Sequence, residues 1–141
     1  MEGHVNVTVV SRSRYVGGED VLVFAGAGLL RREENNWHLR YSAKSDSGES
    51  MGSDILLHDE GATVRNITGG YTLQLTPKTV TQSRIPTQLG NIGVEVTTHR
   101  LDWKLDAAPG QINMDYTLMA LGQTLSEVQL TIHLTEQRGE K

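Results

Sequence analysis

The chain has 141 residues, enough for one domain that hides roughly two thirds of its unfolded surface without covalent staples. With no cysteine it has no disulfide framework, no thiolate zinc site and no cysteine nucleophile. A formal net charge of −4, from 13 Lys and Arg against 17 Asp and Glu, excludes the broad basic footprint of a nucleic-acid binder.

In chain order the dominant signal is alternation of apolar and polar residues. The opening "HVNVTVV" places Val5, Val7 and Val9 on one face and His4, Asn6 and Thr8 on the other. It follows no basic region and already alternates, so it reads as a strand rather than a signal peptide. No window approaches the roughly 18 apolar residues of a membrane-spanning helix. The expectation is therefore a cytoplasmic protein with no membrane contact. The sequon "NIT" at Asn66 to Thr68 carries no weight in that setting.

The next segment, "DVLVFAGAG", is apolar on both faces and predicts a strand covered on its outer side too, or one that sits in an interface. Further along, "WHLRY" sets Trp37, Leu39 and Tyr41 against His38 and Arg40, and "YTLQL" sets Tyr71, Leu73 and Leu75 against Thr72 and Gln74. "QINMDYTLMA" and "VQLTIHL" complete the pattern, with Ile112, Met114, Tyr116 and Leu118 in the first and Val128, Leu130, Ile132 and Leu134 in the second. Strict alternation marks strands with one face in a core and one in water. Turn signals such as "VGGED", "EENN", "SDSGES", "TGG", "QLGN" and "DAAPGQ" separate the runs at short spacing, and no window shows helical periodicity. The fold class is all-β. A single domain over residues 1–141, built as a closed antiparallel up-and-down β-barrel of about eight to ten strands, accounts for the hairpin-length loops and removes exposed sheet edges.

One place breaks the alternation. In "NIGVEVTT" the inward positions are Ile92, Val94, Val96 and Thr98, but in "LDWKL" they are Leu101, Trp103 and Leu105, which is the opposite parity. A β-bulge at His99–Arg100 absorbs the odd residue and bends the strand, as barrel closure requires. The charged trio His99, Arg100 and Asp102 then faces water. As a catalytic pair, His99 and Asp102 would lack a nucleophile, and the alternation tends to point them to opposite faces.

Other candidate chemistry is thin. His4, His38, His58, His99 and His133 belong to different strands and show no metal-binding spacing, so no metal site is expected. Carboxylates such as Glu33, Glu34, Asp46, Glu49, Asp59 and Glu60 cluster at turns, where hairpin tips place them for solubility. "GAGLL" at Gly26 to Leu30 lacks the third glycine and the helix of a dinucleotide loop, and reads instead as close packing at a barrel corner. No catalytic constellation and no cofactor are indicated.

The strongest binding candidates are the inward aromatic residues Trp37, Tyr41, Tyr71, Trp103 and Tyr116, with Arg65 on a neighbouring strand. A small barrel either fills its lumen with side chains or holds one small ligand. Aromatic residues at 5% of the chain are few enough to be consumed as packing, so filled core and ligand pocket both stand. The first reading is a non-enzymatic barrel for a small, partly apolar or amphipathic ligand. The alternative is an interaction module acting through an outer face, for example as a homodimer.

A set of spaced residues runs from about Phe24 to the C-terminus. Gly28 is followed by the charged hairpin "RREENN" and then Trp37, Leu39 and Tyr41; Arg65 stands ten residues before Leu75; "IPTQLG" precedes Thr98; Gly110 precedes Ile112 and Tyr116. In this the chain resembles the DUF1934 or YwiB-like family of small bacterial proteins. Ile85 and Leu75 stand where the family has aromatic residues, and Asn66–Ile67 replaces a tighter Arg-x-Gly. The resemblance implies a calycin-like, lipocalin-like β-barrel in a bacterial cytoplasm, and it implies no catalytic residue. Lumen binding follows from calycin relatives by analogy alone.

Overall fold

The computed structural model describes residues 1–137. These form ten strands: β1 (Gly3–Tyr15), β2 (Gly18–Glu33), β3 (Asn36–Ser45), β4 (Ser50–His58), β5 (Gly61–Asn66), β6 (Tyr71–Leu75), β7 (Val80–Thr87), β8 (Gly90–Lys104), β9 (Gly110–Ala120) and β10 (Gln123–Glu136). All belong to one antiparallel sheet in the order β6-β5-β4-β3-β2-β1-β10-β9-β8-β7. Every chain-consecutive pair from β1 to β6 and from β7 to β10 is a hairpin, and β1 pairs with β10. This is the expected up-and-down barrel, with its seam between β6 and β7.

The seam is closed by side chains rather than by a backbone ladder. Thr81 Oγ1 donates to the carbonyl of Gln74, and Ser83 Oγ donates to the carbonyl of Thr72. Pro77 also forms an isolated bridge to Thr98. The hydroxyls on β7 thus satisfy acceptors on the edge of β6 that a neighbouring strand would otherwise have bonded.

Inward positions follow the alternation. Val5, Val7 and Val9 on β1, Leu39 on β3, Ile55 and Leu57 on β4, Leu73 and Leu75 on β6 and Ile132 and Leu134 on β10 are all buried. On β8, Val94, Val96 and Thr98 are buried before the slip, whereas Ile92, expected inward, is exposed at 37% near the start of the strand; Leu105, just past its end, is buried. The register jumps from Thr98 opposite Tyr116 to Arg100 opposite Asp115, which leaves His99 as the bulged residue. A second irregularity, between Thr124 and Ser126 on β10, was not visible in the alternation.

The glycines of "FAGAG" have a steric reason. Gly28 lies opposite both Val5 and Tyr41, and Gly26 opposite Val7 and Ala43. A Cβ at either would run into the backbone of β3. Strongly coiled neighbouring strands meet here, so only glycine fits.

The outer face of β2 is not covered. Val21 and Val23 are half exposed, at 50% and 51%, while Phe24 points into the core at 4%. Within the described chain, the expected cover over this strand is therefore missing.

Candidate ligand cavity

The lumen has two unlike ends. At the end reached by the β2–β3, β4–β5 and β8–β9 connections it is packed with Leu30, Trp37, Leu39, Leu57, Leu75, Leu105 and Leu134, all buried. The N-terminal ammonium donates to the Asp106 carbonyl at 3.0 Å at this end, next to the β8–β9 connection. Towards the other end the inward residues shrink or become polar. On β1 the inward stripe runs Val5, Val7, Val9, Ser11, Ser13. A cavity of about 250 Å³ remains there. Barrel width grows with strand number, so ten strands enclose more than the inward side chains of one half fill.

Tyr41 on β3, Tyr71 on β6 and Tyr116 on β9 border this space, together with Ser53, Asn66 and aliphatic side chains such as Val64 and Leu130. The sulfur of Met51 accepts from the Tyr41 hydroxyl at 3.4 Å. Asn66 is engaged at both ends of its amide: its Nδ2 donates to the Tyr71 hydroxyl at 3.1 Å and its Oδ1 accepts from the Gly69 amide at 2.7 Å. It therefore holds Tyr71 at the cavity wall. The Tyr116 hydroxyl has no hydrogen-bond partner among the described residues. Burial pushes the Tyr116 phenol well above its ordinary value, and its proximity to Tyr71 and Tyr41 adds to the shift. Tyr41 is pushed up as well, by burial, with a hydrogen bond to Ser53 opposing. Both phenols stay protonated, neutral and able to donate near neutral pH.

The six residues singled out in the sequence thus separate. Tyr41, Tyr71 and Tyr116 come together at the cavity. Trp37 and Trp103 point inward but pack with the hydrophobic core away from it, Trp37 with the Arg32 guanidinium 5.2 Å from its ring centre. Arg65 is a correction. It lies between inward Val64 and Asn66 on β5, so strand parity turns it outward, exposed, opposite Asp54 and Thr72. The sequence reading missed Ser11, Ser13, Ser53, Asn66 and Ser126 as lining residues. The valine-to-serine change along the inward stripe of β1 was the signal for Ser11 and Ser13.

The His99 cluster lies on the outer surface. Because of the bulge, His99, Arg100 and Asp102 are all exposed on that side. His99 Nε2 is 2.7 Å from Thr117 Oγ1, while Asp102 accepts from Arg100 Nε at 2.6 Å and from Asn113 Nδ2 at 2.8 Å. The Asn113 and Arg100 bonds hold the Asp102 carboxyl below its usual value. His99 and Asp102 serve separate partners, so they form no dyad. On β3, His38 is bonded to Asp54 across to β4, again on the outer face. No group of metal-ligating side chains is present among the described residues, and no helix there is long and apolar enough to cross a membrane.

An antiparallel meander closed on itself, packed at one end of its lumen and hollow at the other, defines an up-and-down β-barrel with an internal cavity. The chain belongs to the DUF1934 family, a domain of unknown function whose sequence model matches residues 7–132. Its fold is similar to that in the crystal structure of the ywiB protein from Bacillus subtilis, at 17% identity and a TM-score of 0.74, covering 96% of this chain and 94% of that one. No curated protein matches the chain.

Proposed function

We propose that this barrel binds one small, partly apolar molecule in the hollow end of its lumen, as a binding protein rather than an enzyme, in the cytoplasmic setting that the family resemblance implies. The observation that carries the reading is the cavity of about 250 Å³ bordered by Tyr41, Tyr71 and Tyr116. Ligand pockets combine apolar walls with a few placed polar groups, and those for drug-sized molecules run to roughly 300–1,000 Å³. The occupant is correspondingly smaller. Mass spectrometry of small molecules extracted from protein purified from its own host tests this. A compound recovered in near-stoichiometric amount with the native chain, and lost from Val64→Phe, is the expected result. Protein that is empty, and whose thermal midpoint no small apolar compound raises, would overturn it.

A second reading is favoured by the uncovered outer face of β2. Val21 and Val23, with Val10 opposite Val23 on β1, form an apolar stripe suited to a second copy of the chain. Concentration-dependent light scattering on the native chain and on Val23→Asp tests it. A monomer in both would sink the homodimer.

A further inference from the structure

The lining of the cavity bears on the charge of its occupant, a point that rests on the lumen-binding reading. None of the described side chains that border it is charged. At the same level of the barrel, Arg12 and Arg14 on β1 and Glu127 on β10 occupy the outward positions between inward Ser11, Ser13, Ser126 and Val128. Each strand thus turns its ions to water and its neutral groups to the lumen.

The neutral polar groups form a belt. Ser11 and Ser13 on β1, Tyr41, Ser53, Tyr71 and Tyr116 stand at the cavity wall, with aliphatic Ile55, Leu73, Met114 and Leu130 beside them. Asn66 already bonds Tyr71 and Gly69. Ser11, Ser13, Ser126 and Tyr116 make no side-chain hydrogen bond among the described residues, so their hydroxyls are available. A hydroxyl both donates and accepts, and so matches an alcohol, a carbonyl or an amide without needing a charge.

An ion would find no compensation here. A buried charge without a partner is disfavoured by several kcal/mol after relaxation, at order of magnitude. Among the described residues the lumen supplies no counter-ion, and no helix is present there to aim an end at it. Strand dipoles alternate in an antiparallel sheet and leave only a small net field.

We propose that the lumen is specific for uncharged amphipathic molecules, an apolar body against the aliphatic wall and a neutral hydroxyl, carbonyl or amide at the serine–tyrosine belt, and that it rejects carboxylates and ammonium ions of the same shape. The test uses octan-1-ol, octanoate and octylammonium at about pH 8, where the acid and the amine are both ionised. Calorimetric titration of the full chain should show octan-1-ol binding at least tenfold more tightly than either ion. Octan-1-ol affinity should fall roughly fivefold in Tyr116→Phe, the loss of about one hydrogen bond. Thermal denaturation of the variant checks that it is folded. Octanoate or octylammonium binding as tightly as octan-1-ol, and blocked by Val64→Phe, would overturn the charge selection while leaving lumen binding in place. No binding of any of the three would overturn both.

Discussion

Gly28 on β2 stands directly opposite Tyr41 on β3, and a Cβ added to it would lie 2.8 Å from the Tyr41 Cβ and 2.5 Å from the Arg40 carbonyl oxygen. The approach of these two strands therefore depends on a missing methyl group, and it sets where the Tyr41 ring enters the lumen. Gly28→Ala is expected to destabilise the protein by about 1–3 kcal/mol, since the backbone of β3 must move. Urea unfolding measures the loss. The same variant should weaken binding of a lumen ligand, because Tyr41 is displaced with its strand.

Thr98 gives a prediction of the opposite sign. It is buried, at 3% exposure, beside the bulge, and its Oγ1 has no hydrogen-bond partner among the described residues. An unsatisfied buried hydroxyl costs roughly 1–3 kcal/mol. Thr98→Val keeps the β-branched shape and removes that cost, so a gain of about 1 kcal/mol in the unfolding free energy is expected. A loss of stability would show instead that the hydroxyl has a partner in solution.

The β9–β10 hairpin turns through Leu121 and Gly122, both with positive φ, at 52° and 75°. Two such residues in a two-residue loop make a type I′ turn, which prefers Asn-Gly. Leucine in this conformation costs roughly 1–2 kcal/mol, and here its side chain is fully exposed. Leu121→Asn is expected to raise the thermal midpoint by a few degrees, following from about 1 kcal/mol. Differential scanning calorimetry reads this directly.

The tyrosines of the cavity make stability fall at alkaline pH. In the folded state the Tyr116 phenol is held above its unfolded value of 10.0, so the folded protein keeps a proton that the unfolded chain gives up. The contribution is fully present below pH 10.0 and is lost as pH rises through the folded value. Thermal midpoints of the native protein should therefore drop above about pH 10, and Tyr116→Phe should flatten that drop.

Much of the fold is legible in the sequence because the information is local. Successive side chains on a strand point to opposite faces, so counting parity is enough to assign Val5, Leu39, Leu73 and Ile132 to the interior. The same count finds the slip at His99, where two stretches of one strand disagree, and applied from Val64 it also turns Arg65 outward. The outward placement of Val21 and Val23, opposite in parity to Phe24, follows in the same way, but whether anything covers them does not.

Which inward residues meet is another matter. Tyr41 and Trp37 share a face of β3 and look alike by pattern, yet Tyr41 borders the cavity and Trp37 does not. The partners that separate them, such as Tyr116 against one and Leu105 against the other end, are brought near only when β1 pairs with β10 and the seam closes between β6 and β7. By itself, then, the sequence determined the strands, their inward faces and the bulge, through the two-residue period of the extended chain. Only the tertiary structure decided that the lumen is packed at one end and hollow at the other, because cavity volume is set by the width of the closed barrel against the summed size of side chains from distant strands.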